Sequence, residues 1–371
     1  MAVLDSSDFS VTGCCFAHML QGDTGEEADA VYEHTLTPTA FFKSRIAFNF
    51  NTLLWELTRQ DGTVFGFPDG GGVSNPGQAA LRAVTNRTGQ KLTFTRAGNG
   101  NLTTITSSSG RRLTLAYDGS NRVTSATDHT GRAVGYTYNG QGYLWKVTDP
   151  EGGVTEYTYD GNGRMSTLKD ARGLVFLTNE YDFEDRVIRQ IQADNSEYLF
   201  AYTEDGGGAV IQTDVTGPRG FVRQVTFNAK GYILTDTRAV GETEEQMVLL
   251  TRQSGTNLPL SLNDPLGRET TWTYDSLGNV LSETRLAGTG GAVTTTFSYE
   301  PNFQQVASVT DPLQHTTTIT YDSLGNPVTI TDPLQHQTSM TYNSESQLLS
   351  LTDGESHHTQ FTYESTDLVG V

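Results

Sequence analysis

Three histidines stand 21 residues apart: His315, His336 and His357. Each directly follows an aspartate-led turn, as in Asp311-Pro312-Leu313-Gln314-His315 and Asp332-Pro333-Leu334-Gln335-His336. Imidazoles are common zinc ligands and proton carriers. Equal spacing, however, puts these rings at equivalent points of a repeating structure. If one repeat is two strands wide, neighbouring rings lie ~10 Å apart, too far to share a zinc whose Zn–N bonds are ~2 Å. They read as a surface row, and His358 adds a ring without making a site.

Other chemistry-bearing residues reduce to turn grammar in the same way. Asp160-Gly161-Asn162-Gly163 begins like a calcium loop, but the later oxygens and the bidentate Glu of such a loop do not follow. Carboxylates are abundant and fall in turns, and no pair is singled out for glycosidic chemistry. No Gly-x-Ser-x-Gly elbow and no phosphate loop occurs. Trp145 and Trp272 could stack on sugar rings, although such aromatics more often pack the inner face of the sheet. The reading is of no catalytic, cofactor-binding or metal site, with Trp145 and Trp272 as the residues to test for glycan or cargo contact.

The elements that would position these residues repeat. Tyr-Asp, Tyr-Asn or Tyr-Glu recurs at Tyr117, Tyr138, Tyr159, Tyr181, Tyr274, Tyr321, Tyr342 and Tyr363, with steps of 21 or 22 residues from Tyr117 to Tyr181 and from Tyr321 to Tyr363. Weaker copies fall at Phe94, Tyr202, Phe227 and Tyr299. In the best-kept copy Thr318, Thr320 and Asp322 face one way and Ile319 and Tyr321 the other, because strand side chains alternate. Ser323-Leu324-Gly325-Asn326 then reverses the chain, as do the turns around Gly163 and Gly278. A second strand follows and ends at Asp332-Pro333, where proline has no N–H to give to a ladder. Each unit is thus a hairpin plus a connection. The fold class expected is all-β: a repetitive antiparallel β-hairpin array, one long sheet coiled by strand twist. Residues 1–45 show no period and are expected to be irregular or disordered. Residues 46–93 read as a β-hairpin lead-in and 94–371 as about twelve units of the array.

Composition agrees. Hydrophobic residues make up 35% of the chain, which suits a sheet with one buried face. The net charge of −19 disfavours nucleic acid and anionic lipid as partners. No apolar run is long enough to span a membrane, and Met1-Ala2-Val3-Leu4-Asp5 lacks the basic start of a secretory signal. The two cysteines, Cys14 and Cys15, are adjacent and read as free thiols.

Tyr-Asp, then x-x-Gly-Arg or x-x-Gly-Asn, then an aliphatic strand ending in Thr-Asp-Pro-x-Gly, resembles the YD repeat of the Rhs family. That family includes Rhs polymorphic toxins, shell-forming subunits of insecticidal toxin complexes, wall-associated proteins and the animal teneurins. The resemblance covers roughly residues 90–371 and implies a non-catalytic wall segment of a hollow, barrel-like cocoon around a C-terminal toxin or effector. The implied partners are the rest of the shell and that cargo polypeptide, and the implied location is secreted or cell-surface. Pro259 to Arg268 is similar to the motif at which such shells release their cargo by autoproteolysis. Arg268 replaces the family's leucine there, and further repeats follow it, so the cleavage role is not carried over. With about twelve hairpins and no toxin domain after Val371, the chain is expected to be a fragment of a longer shell. Two alternatives stay open: a cell-surface carbohydrate-binding or adhesion protein, and a polysaccharide-degrading enzyme.

Overall fold

The computed structural model of the chain describes residues 9–10, 31–34, 44–70, 76–364 and 367–371. Cys14 and Cys15 lie outside the described residues. Of residues 1–45, the described parts include Phe9–Ser10 and Val31–His34. These two strands pair antiparallel, and the second pairs with Arg45–Asn49.

The described residues form strands and turns, with one 3-10 turn at Pro76–Ala79 and no α-helix. Two compact units are present. The first holds residues 1–113, 272–284 and 291–371, and the second holds 114–271 and 285–290. In the second unit, strands from Val123–Asp128 to Glu269–Tyr274 each pair antiparallel with the next along the chain. The first unit contains two such meanders, residues 45–107 and 293–360. Val, Ile, Thr and Tyr dominate these strands because branched and aromatic side chains pack well on a pleated surface.

The alternation read from the sequence holds: Thr318 and Thr320 are exposed, while Ile319 and Tyr321 are partly covered. The apolar strand residues are mostly half-buried. Only Ile46, Leu57, Ala83 and Val225 among the described hydrophobic residues are buried, and Ile46 faces Leu57 directly across a strand pair. Burial of one such side chain contributes about 1.5–3 kcal/mol, so four do not make a globular core. Stability in this arrangement comes chiefly from contacts between adjacent repeats.

Both kinds of turn use one frame. At Asp160 the backbone N–H donates to the Arg164 carbonyl, and Gly163 N–H donates back to the Asp160 carbonyl. Asp149, at the opposite edge, repeats the pattern with Gly153 and Gly152. The fourth residue adopts positive φ: +81° at Gly163, +87° at Gly278 and +78° at Gly325. Gln314, Gln335 and Ser356 take the same conformation just before the three histidines.

The two edges differ in how often their ladders are interrupted: among the described residues the opposite edge shows one register shift, between Leu168 and Lys169, and the Tyr-Asp edge shows it repeatedly. Beyond the Tyr-Asp turn the register skips a residue: Thr137 pairs with Lys146 but Tyr138 with Leu144, leaving Trp145 unpaired. The same skip follows Thr158, Glu180, Thr226, Ser298, Thr320 and Thr341. A bulge bends a strand and increases its twist, so bulges recurring at one edge bend successive hairpins in the same sense.

Candidate functional site

At several bulges the tyrosine of the following repeat donates to the carbonyl of the residue just before the skipped one. Tyr159 Oη donates to the Leu144 carbonyl at 2.8 Å. Tyr138 does the same to Val123, Tyr181 to Met165, Tyr202 to Val187 and Tyr321 to Val306, at 2.7–2.8 Å. Burial raises the pKa of Tyr138, Tyr159, Tyr202 and Tyr321. Tyr342 departs from the pattern, its hydroxyl meeting Met340 Sδ at 3.5 Å. Tyr117 and Tyr274 end their strands at the equivalent position, and Tyr363 pairs with Leu368 in a separate two-stranded sheet.

Aspartate does two jobs in the turn. Asp160 Oδ1 accepts the backbone N–H groups of Asn162 and Arg164 at 2.9 and 3.0 Å, and Oδ2 accepts Arg164 Nε at 2.7 Å. The Arg164 backbone bond lowers the Asp160 pKa most, partial desolvation opposes it, and the guanidinium lowers it further. Arg164 then reaches forward, donating from Nη1 to the Asp182 carbonyl at 2.6 Å and lying 4.8 Å from the Tyr181 ring centroid. Arg122 lies over Tyr138 and Arg186 over Tyr202 in the same way. Where asparagine replaces arginine, a shorter amide makes the bridge. Asn279 joins Asp275 to Gln304, and Asn326 joins Asp322 to Ser346, at 2.9–3.0 Å. The sequence reading used these Arg and Asn residues only as a signature. Their role as clamps between repeats was signalled by their fixed place after the turn glycine.

The histidine row takes the arginine's place. Nδ1 of His315, His336 and His357 lies 3.1, 2.9 and 3.0 Å from Oδ2 of Asp311, Asp332 and Asp353. Each ring is thus a local turn partner, and no group of three or more metal-ligating side chains occurs among the described residues. Asp264, in the stretch similar to a cleavage motif, has the same saturated surroundings: its carboxylate accepts Leu266 N–H, Arg268 N–H and Arg268 Nε at 2.6–2.9 Å.

The two tryptophans differ. Trp145, at a bulge, is 44% exposed, with Lys146 Nζ 4.1 Å from its ring centroid. Lys146 also pairs with Glu156 at 2.9 Å. Trp272 is half-buried, and its Nε1 donates to Glu283 at 3.2 Å. Gly163 is favoured by its positive φ, and a Cβ there would also displace the hydroxyl end of the exposed Tyr143, whose ring stacks on Tyr159 at 4.8 Å.

No curated protein matches the chain. Among solved structures, a TcdB2–TccC3 crystal structure is similar over 92% of this chain and 20% of that one, at 13% identity and a TM-score of 0.47. A Photorhabdus luminescens Tc holotoxin pore carrying a TccC3 mutation is similar over 92% and 24%, at 12% identity and a TM-score of 0.33. The chain spans a fifth to a quarter of these chains. The family model described as Teneurin YD-shell matches residues 73–369, most of the chain and every Tyr-Asp clamp described above. The chain belongs to the Teneurin YD-shell family.

Proposed function

We propose that the chain is a wall segment of a shell that confines a polypeptide cargo, a toxin or effector, and performs no chemistry of its own. The observation that carries this reading is the bulge-and-clamp unit. Its tyrosine, aspartate and arginine are used up in joining one bent hairpin to the next, which leaves structure as their role. Cargo would be held by steric confinement against a wall whose acidic surplus resists collapse and adhesion to anionic surfaces. The wall's partners would be the rest of the shell and the cargo, and its location secreted or cell-surface. The test is photo-crosslinking of the natural full-length polypeptide, with the reactive group placed at Thr320 or at Ile319 on opposite faces. Adducts to one polypeptide segment from one face only are expected. Equal labelling from both faces, or polysaccharide turnover lost on a single carboxylate change, would overturn the reading.

A second reading rests on Trp145, whose exposed ring beside Lys146 and Glu156 has the makings of a sugar-stacking surface. It predicts glycan-array hits that disappear in Trp145→Ala. Trp272, already committed to Glu283, is the weaker member of the pair.

A further inference from the structure

In the first unit, turns far apart in sequence meet around two side chains, Arg87 and Phe303. A Cβ at Gly62, in the turn after strand Leu54–Thr58, would stand 2.6 Å from Arg87 Cβ and 2.8 Å from the Phe303 ring. A Cβ at Gly325 would stand 2.7 Å from that ring and 2.9 Å from Arg87 Nε. Gln305 Nε2 donates to the Gly325 carbonyl at 2.8 Å. Four turns therefore converge: those holding Gly62 and Arg87 in the lead-in, and those holding Phe303 and Gly325 in the repeats.

Two departures from the repeat coincide here. The loop Glu300–Gln305 closes with Glu300 N–H on the Gln305 carbonyl, one residue longer than the Asp322–Asn326 turn, and the longer loop carries Phe303. Arg87 sits second in its turn, Asn86–Gln90, instead of after the glycine, so it is not held by a turn aspartate as Arg164 is. Arg87 Nε is buried without a hydrogen-bond partner. Among the described residues, the strands of 45–96 and those of 293–331 pair only with their own chain neighbours, so turns and side chains carry this contact.

We propose that Arg87 and Phe303 form a latch that fastens the lead-in hairpins and the first repeat strand, residues 45–96, to the repeats around residues 299–331, and that once this seam opens the short ladders of 45–96 open together while those of the repeats hold. Side-chain contacts around an unsatisfied buried donor separate more readily than continuous antiparallel ladders, and regions of that kind open first. Opening would release residues 45–96 as one cooperative unit while the repeats keep their pairing. The latch is independent of what the shell confines.

Amide exchange on the full chain tests it. In Phe303→Ala, exchange in strands Leu54–Thr58, Val64–Pro68 and Lys91–Arg96 should rise together by about tenfold, while strands of residues 123–238 stay unchanged. Gly62→Ala should reproduce this pattern. Gly173→Ala, which has the same positive φ but open space around it, should not. If Phe303→Ala fails to fold, Phe303→Leu is measured instead. Exchange that rises only within residues 300–305, or equally throughout the chain, would overturn the latch.

Discussion

Tyr159 Oη and the Leu144 carbonyl, 15 residues apart, are joined at 2.8 Å across the boundary between two repeats. Leu144 faces Tyr138, and the next residue, Trp145, is skipped by the ladder. The acceptor thus stands beside the bulge, and the next repeat's tyrosine meets it. Phenylalanine could fill the same space but not this valence. Tyr159→Phe should cost about 1 kcal/mol, the net worth of one hydrogen bond, in urea unfolding. Tyr342→Phe, whose hydroxyl meets only a thioether, should cost clearly less. Equal losses would mean that the hydroxyl–carbonyl bond does not couple repeats.

The same burial gives an alkaline limit. Tyr138, Tyr159, Tyr202, Tyr299, Tyr321 and Tyr342 have pKa values raised above the ordinary 10.0, with desolvation as the leading cause. In this window the unfolded chain has lost phenolic protons that the folded chain keeps. Stability is full below pH 10 and falls as pH rises through the folded values. Melting temperature against pH should turn down above about pH 10, and tyrosinate absorbance should appear later in the folded protein than in urea. A flat stability profile to pH 12 would contradict it.

Acid acts through the turns. Asp118 and Asp160 have lowered pKa values, chiefly through the backbone N–H groups of Arg122 and Arg164. Asp353 is lowered first by the His357 backbone N–H and then by its ring. A depressed carboxylate contributes stability that is present above the unfolded value near 3.8 and is lost as pH falls through the folded one. Urea midpoints should hold down to about pH 5 and decline below pH 4. Asp160→Ala should lower the midpoint at pH 7 and flatten the decline; an unchanged midpoint would remove the aspartate from the turn's support.

Much of this was legible in the sequence, and the reasons for success and failure differ. Alternation around Tyr321 and the turn at Gly325 are local, so strand faces and reversals could be placed from residue types alone. The bulge is a matter of register between two strands, and register follows from turn geometry and not from composition. Trp145 accordingly looked like an inner-face residue or a sugar platform, with nothing to say that it is the residue the ladder skips. Arg164 and Asn326 were visible as a motif, but their partners, Asp182 and Ser346, belong to the next repeat. The meeting of Gly62, Arg87, Phe303 and Gly325 joins positions separated by most of the chain, which no periodicity encodes.

Gly163 separates the two reasons a turn here needs glycine. An L-residue at positive φ costs about 1–2 kcal/mol, and Gly173→Ala, with nothing within 4 Å of the added Cβ, should lose that and no more. At Gly163 the new methyl also meets Tyr143, displacing a ring that stacks on Tyr159. Turning that exposed ring aside costs its stack, about 0.5–1.5 kcal/mol, so Gly163→Ala should be the more destabilising change by that margin. Gly163→Ala combined with Tyr143→Ala should likewise show roughly the Gly173→Ala loss plus the cost of the missing ring stack, about 0.5–1.5 kcal/mol. If the double variant is as unstable as the sum of its parts, the ring is not what crowds the turn, and backbone strain alone explains the glycine.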